Sequence, residues 1–257
     1  MEKIKKILSF LYQPFSFLIP AAFLIFIIFP ISILVLPFNW SFRLKVTAPF
    51  WQFYGKLTIY IACLCKVHFE DYRPEEVQSL HNPPGLYVGN HQSFIDIPLM
   101  LCTCQIAPIM KKEILYIPVF GICAYSSGAM IVNRKRGESR RKVFKQAQER
   151  LFSYYKNLQY YPEGTRNKGN KPPRDLDKIK KPLMVFAYKN NVPVCPFSMY
   201  GTTEVLSPKG FIQHGRKVGK IMHAPIFPKD FENEDEFVKA VWDKVTLGYF
   251  DLKEKLS

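Results

Sequence analysis

Between Lys6 and Arg43 the chain has no charged residue, and the stretch from Phe15 to Phe38 is almost wholly apolar. That absence excludes an ordinary solvent-facing helix, because so long an uncharged run is rare in soluble domains. No small-residue cleavage site follows the run, which excludes a secretory signal peptide. Acidic residues are few: 21 Asp and Glu against 36 Lys and Arg leave a formal net charge of +15. The imbalance implies an anionic partner, whether nucleic acid, acidic lipid, a phosphorylated substrate or an acidic carrier protein. The six cysteines lack metal spacing: Cys63/Cys65 and Cys102/Cys104 are C-x-C pairs in apolar surroundings, without histidines at finger-type intervals. Zinc sites want wider pairs, so buried free thiols in a reducing compartment are expected. There is no Gly-x-Ser-x-Gly elbow, hence no well-formed serine nucleophile. Gly210 and Gly215 have the gap of a phosphate loop, but Arg216-Lys217 follows where Lys-Ser/Thr is required, which excludes nucleotide hydrolysis of that type. Neither RNP-like aromatic-basic interleaving nor a helix-turn-helix signal occurs, so nucleic acid is not an expected partner.

The apolar run exceeds the roughly 20 residues needed to span a bilayer. Pro20, Pro30 and Pro37 interrupt it, and basic residues flank both ends: Lys3, Lys5 and Lys6 before, Arg43 and Lys45 after. The positive-inside rule therefore gives no orientation. A single span puts one basic cluster on the wrong side, whereas a kinked re-entrant segment keeps both on the cytoplasmic face. From Val46 to Val67 come Trp51, Phe53, Tyr54 and Tyr60 with a lone Lys56, a mixture suited to the headgroup boundary. Residues 1–66 thus read as a two-helix membrane module, spanning a leaflet pair or dipping into one.

Residues 67–257 read as an α/β domain with a mixed, largely parallel sheet flanked by helices. Strands are expected at Leu86–Val88, Ala129–Val132, Leu158–Tyr161, Val194–Met199 and Gly219–Ala224. Helices are expected at Ile97–Cys104, Glu138–Lys156, Leu183–Lys189 and Glu232–Leu256. The Lys- and Pro-rich stretch Asn167–Lys181 reads as a loop.

Five segments carry candidate chemistry. In Asn90-His91-Gln92-Ser93-Phe94-Ile95-Asp96 the His and Asp are five positions apart, about 140° around a helix axis. They can meet only if His91 lies in the turn after a strand and Asp96 in the helix that follows. A carboxylate there would fix the imidazole tautomer and raise the basicity of the free nitrogen, the logic of a general base. Tyr161-Pro162-Glu163-Gly164-Thr165-Arg166 puts a fixed cation and a hydroxyl directly after a strand, with Gly164 permitting close backbone approach. That suits phosphate or carboxylate binding, with Glu163 pairing Arg166 or a nearby base to hold the loop. Asn133-Arg134 follows a strand, and Lys111-Lys112 stands before Ile117-Pro118-Val119-Phe120-Gly121. Val192-Pro193-Val194-Cys195-Pro196 is a strand bracketed by prolines.

Taken together and in this order, these blocks resemble the PlsC-type 1-acylglycerol-3-phosphate (lysophosphatidate) acyltransferases. That family carries N-H-x₄-D, then G-x-[IL]-[IV]-[DN]-R, then [FY]-P-E-G-T-R, then V-P-[IV]-x-P, and the likeness covers about residues 85 to 200. Two departures stand out: Asn133 precedes Arg134 where Asp is commoner, and Ile179-Lys180-Lys181-Pro182 stands where the family has Phe-Lys-x-Gly.

The resemblance implies transfer of an acyl chain from a thioester, on acyl carrier protein or coenzyme A, to the sn-2 hydroxyl of lysophosphatidic acid. His91 and Asp96 are the implied catalytic pair. Lys112, Arg134, Glu163, Gly164, Thr165 and Arg166 are the implied substrate-binding set. A thioester is already activated, so no metal or redox cofactor is implied. Membrane lipids are the expected surroundings, with the site facing the cytoplasm, on a bacterial inner membrane. A related acyltransferase acting on another lyso-lipid keeps the same catalytic block. A non-catalytic, membrane-tethered binder of anionic lipid or nucleic acid is the more distant alternative.

Overall fold

The computed structural model describes residues 2–75, 85–104, 106–132, 139–153, 157–167, 171–206 and 210–257. The uncharged run folds as one long helix in three parts: α1 (Glu2–Phe23), a π-helical turn (Leu24–Ile28) and α2 (Phe29–Val35). Pro30 has no N–H for the carbonyl four residues back, and the ladder loosens to a π turn just before it. After a short turn, Asn39 accepts from the Phe42 N–H and starts α3 (Trp40–Lys56), which ends in a second π turn, Leu57–Ala62. The two helices form a hairpin: α1 packs on the Leu57–Ala62 turn and α2 on α3. Within it, Ile7–Val35 is long and apolar enough to cross a membrane, with mean hydropathy 2.8. Its outer face leaves Phe10, Leu18, Phe26 and Leu34 exposed.

The rest of the chain is a seven-stranded mixed sheet in the order β1-β7-β6-β2-β5-β3-β4, flanked by helices. The strands are β1 (Lys66–Asp71), β2 (Leu86–Gly89), β3 (Ala107–Lys111), β4 (Met130–Val132), β5 (Leu158–Tyr160), β6 (Val194–Tyr200) and β7 (Lys217–Met222). Only the β6–β7 pairing is antiparallel. Two strands were not anticipated. β1 reads as charged and polar because it lies at an edge and is only partly buried, and β3 contains Pro108, which signals a break rather than a strand. The strand expected at Gly219–Ala224 starts two residues earlier and stops at Met222.

The helices are α4 (Asp96–Leu101), α5 (Phe120–Ser126), α6 (Ser139–Gln148), α7 (Pro182–Lys189), α8 (Thr202–Val205) and α9 (Glu234–Leu256). Of the basic helix expected over Glu138–Lys156, the described residues are helical throughout, α-helical over Ser139–Gln148 and π-helical over Glu149–Ser153. Asn233 caps α9 by accepting from the Glu236 N–H, and three acidic residues fill the first turn, complementing the helix dipole. Helix α9 buries Phe237, Val241, Trp242 and Val245 against the sheet.

A second apolar cluster joins Ile28, Trp51 and Ile59 of the hairpin to Leu99, Met100 and Cys102 around α4. The hairpin is therefore fastened to the sheet domain by shared core. All six cysteines are free and buried, as apolar surroundings required.

Candidate active site

Parallel register decides which residues meet. Leu86 of β2 is level with Leu158 of β5 and Val194 of β6, and Leu158 with Ala107 of β3. The strands so aligned all end at the carboxyl edge of the sheet, and His91, Glu163 and Lys112 lie in the turns that follow them. That edge is where ligands bind in open α/β sheets.

β2 ends at Gly89, where a Cβ would stand 2.2 Å from the Phe197 ring; only glycine lets the two strands' ends close. Asn90 is fully buried and acts as a surrogate strand pair. Its Nδ2 donates to the Met199 carbonyl and its Oδ1 accepts from the Met199 N–H, both at 2.8 Å. His91 then sits in the turn and Asp96 opens α4, the arrangement that their spacing demanded. His91 Nδ1 lies 2.8 Å from Asp96 Oδ2. The same oxygen accepts from the Gln92 and Ser93 N–H groups at 2.6 and 2.9 Å, and Oδ1 accepts from the Thr202 hydroxyl at 2.5 Å. Hydrogen bonds to both oxygens hold the fully buried carboxylate in place. The bond to it places the imidazole proton on Nδ1, leaving Nε2 as the acceptor on the half-buried side of the ring.

The imidazole stacks on Tyr161, centroids 4.2 Å apart at 19°. Burial, with Asp96 and Glu163 nearby, pushes the Tyr161 phenol well above its ordinary value, so it stays protonated. Glu163 does not pair with Arg166. Its Oε1 accepts from the His91 N–H at 2.7 Å, and burial raises the carboxyl to about 7. The Asn167 N–H in turn donates to the His91 carbonyl at 2.7 Å. His91 is thus gripped by its backbone from the Glu163 turn and by its side chain from α4.

Gly164 has φ +68°, and the Lys180 side chain lies across it: a Cβ there would meet Lys180 Nζ at 2.7 Å. Lys180 also donates its N–H to the Pro162 carbonyl and accepts from the Tyr160 hydroxyl. The unusual Ile179-Lys180-Lys181-Pro182 stretch therefore closes onto the Glu163–Arg166 turn. Thr165 and Arg166 are exposed, and the Arg166 guanidinium sits 3.8 Å above the Phe94 ring. That contact returns Arg166 to the His91 segment. Lys112 opens a 3-10 turn after β3 and is exposed; among the described residues it makes no hydrogen bond to the His91 group. Arg134 lies outside the described residues.

Sequence reasoning quoted Asn90 and Lys180 within its blocks without giving either a role, and did not single out Thr202. Their partners are distant in the chain. Beside the site, an apolar cleft of about 60 Å³ opens between α3, α4, β3 and α5. Leu44, Trp51, Leu101, Met110 and Phe120 line it, and it reaches Ile97, the residue after Asp96. Among the described residues no cluster of His, Cys, Asp and Glu is arranged to hold a metal ion.

Comparison with known proteins is consistent with this geometry. The family model described as Acyltransferase matches residues 65–200. Over 160 residues the chain is 32% identical to a chloroplastic 1-acyl-sn-glycerol-3-phosphate acyltransferase of Brassica napus, covering 59% of this chain and 45% of that protein. It is 29% identical over 168 residues to the human 1-acyl-sn-glycerol-3-phosphate acyltransferase beta, covering 62% and 56% respectively. The matched part spans about half the length of these curated relatives. The crystal structure of the 1-acyl-sn-glycerophosphate (LPA) acyltransferase PlsC from Thermotoga maritima superposes with a TM-score of 0.73 at 26% identity, covering 98% of both chains.

Proposed function

Since this chain belongs to the acyltransferase family, we propose that it moves an acyl chain from a thioester to the free hydroxyl of lysophosphatidic acid, giving phosphatidic acid. The observation that carries the reading is the His91–Asp96 hydrogen bond, with Nε2 left to accept a proton. The acceptor hydroxyl gives its proton to Nε2 as its oxygen attacks the thioester carbonyl, and Asp96 stabilises the imidazolium. The carbon–sulfur bond then breaks, and the thiolate leaves with the proton returned by the imidazolium. Nothing in this sequence needs a covalent acyl-enzyme.

Arg166, held over Phe94, is the proposed anchor of the acceptor phosphate, by charge-assisted hydrogen bonds. Lys112 adds a cation at the same edge of the sheet, and Arg134 is assigned here by family likeness alone. Glu163 and Gly164 shape the turn, and Thr165 offers a hydroxyl to the same phosphate. The apolar lining of the cleft beside Ile97 supports its taking part of an acyl chain. The donor is acyl carrier protein or coenzyme A; the net charge of +15 favours either anionic carrier.

Residues 1–66 are proposed to embed in the membrane, and the re-entrant arrangement is favoured. Near the start of the long helix, Ser9 and Ser16 bond the two ring nitrogens of His214 at 2.6 and 2.5 Å, and Gln13 accepts from the Ile212 N–H at 3.1 Å. At its far end α2 packs on α5. A helix fastened to one domain at both ends lies along that domain, dipping into the facing leaflet with its apolar side outward. The site then opens at the cytoplasmic face, on a bacterial inner membrane.

Thiol release by the detergent-purified protein, given lysophosphatidate and an acyl thioester, tests the proposal. His91→Ala is expected to slow release by roughly 10²- to 10⁴-fold, the usual weight of a general base. Unchanged release overturns the mechanism. Turnover with another lyso-lipid but not with lysophosphatidate reassigns the acceptor and leaves the chemistry standing.

A further inference from the structure

We infer that Thr202 is a positioning residue of the His91–Asp96 pair, holding the carboxylate oxygen that His91 does not use. The inference rests on the reading of that pair as the catalytic dyad. Asp96 is fully buried, and its two oxygens are served unequally. Oδ2 takes the His91 ring and two backbone N–H groups, whereas Oδ1 has the Thr202 hydroxyl at 2.5 Å. The backbone donors come from the dyad's own turn, so they move with it. Thr202 comes from the turn after β6, the neighbouring strand, and among the described residues its bond is the one that ties the carboxylate to a separate element.

The local chain is built to deliver this hydroxyl. β6 ends at Tyr200, and Gly201 turns with φ +84°. A Cβ at Gly201 would lie 2.4 Å from the Lys217 carbonyl oxygen, so both the conformation and the close approach to β7 call for glycine. The turn opens α8 with Thr202 at its first position. Thr202 does not cap its own helix, because the cap position is Gly201 and carries no side-chain bond. Its hydroxyl is fully buried and is committed to Asp96. Two further hydrogen bonds, between Asn90 and Met199, fix the same end of β6 to the residue before His91. The end of β6 and the dyad are therefore clamped from both sides of the turn.

The physical consequence is orientation. A carboxylate anchored at one oxygen and bound at the other cannot rotate about its Cβ–Cγ bond. Oδ2 then stays in line with His91 Nδ1, and the tautomer that leaves Nε2 free is maintained. Without the hydroxyl, Oδ1 is a buried acceptor with nothing to accept from, and the carboxylate turns to share its remaining donors. Thr202 is buried beneath Asp96 and does not face the cleft or the Arg166 turn. Its loss is therefore expected in the chemical step and not in acceptor binding.

Thr202→Val, which keeps the shape and removes the donor, and Thr202→Ser, which restores it, test the inference. Val is expected to lower kcat about tenfold with KM for lysophosphatidate held within about twofold, and Ser to recover kcat to within about threefold of the parent. A second readout needs no substrate: the downfield Nδ1–H proton resonance of His91, identified by its loss in His91→Ala. It is expected to shift or broaden in Val and to return in Ser. If Val does not fold, Thr202→Ala is compared with Ser in the same two measurements. Parental kcat and an unmoved resonance in the donor-less variant overturn the inference, as does a Ser variant as impaired as Val. Failure of the parent protein to turn over lysophosphatidate would instead count against the proposed reaction, while the resonance still decides on Thr202.

Discussion

Glu163 and His223 are buried ionisable groups that burial moves in opposite directions. Glu163 is raised from 4.5 to about 7, so the folded protein holds its proton more tightly than the unfolded chain does. Its contribution to stability is complete below about 4.5 and is lost as the pH rises through about 7. His223, bonded to Ser198 at 2.8 Å, is lowered from 6.5 to about 4, chiefly by desolvation. Its contribution is complete above about 6.5 and is lost as the pH falls towards 4. Each shift corresponds to about 3 kcal/mol, with the two slopes opposed over most of the same window. The parent protein should therefore show little change in denaturation midpoint from these groups between about pH 4.5 and 6.5. Glu163→Gln should unmask His223, so that stability drops by about 3 kcal/mol on acidification across that window. A flat profile in the variant would refute the assignment. At this scale the sequence exposed what is local: His91 and Asp96 are five residues apart, and a single turn condition joined them. Asn90 with Met199, and Asp96 with Thr202, are separated by more than a hundred residues. Only the sheet order brings them together.

Among the elements, α4 carries Asp96 and meets α3 of the hairpin at Gly55. A Cβ there would lie 2.7 Å from the Pro98 carbonyl oxygen and 2.9 Å from the Cys102 nitrogen. Both are backbone atoms, which cannot step aside as a side chain can. Gly55→Val should therefore push α3 away from α4, costing about 1–3 kcal/mol as an overpacked contact does. Lower thiol release should accompany it, because α4 moves with Asp96. Denaturant midpoints and thiol release measured on the same preparation check this; unchanged values in both would mean that the two helices are not rigidly coupled. Strands β2, β4, β5, β6 and β7 were legible as short apolar runs between breakers, β4 although it lies at an edge. β1 and β3 were not. β1, at the other edge, carries Lys66, Glu70 and Asp71, while β3 tolerates Pro108 at a position that hydrophobic and turn signals score as a break.

For the whole molecule the open question in the sequence was topology, since basic residues flank the uncharged run on both sides. Two attachments of the long helix support the one-leaflet arrangement proposed above. At 1.5 Å per residue the helix through Glu2–Val35 is about 50 Å long, well beyond the roughly 30 Å of bilayer hydrocarbon. It is tied to the sheet domain near Ser9 and Ser16 and again at α2. Crossing the bilayer would pull one of these attachments away and leave polar Ser9, Gln13 and Ser16 without their partners. A hairpin lying in one leaflet keeps them, and keeps the basic residues at both ends beside anionic headgroups. Glu2→Cys and Ser41→Cys, at the start of the hairpin and just after its turn, should therefore react with a membrane-impermeant thiol reagent from the same side of sealed vesicles. The six native cysteines are buried and provide a silent background. Labelling of the two positions from opposite sides would establish a span, and the contacts between α1 and His214 would then have to break on insertion.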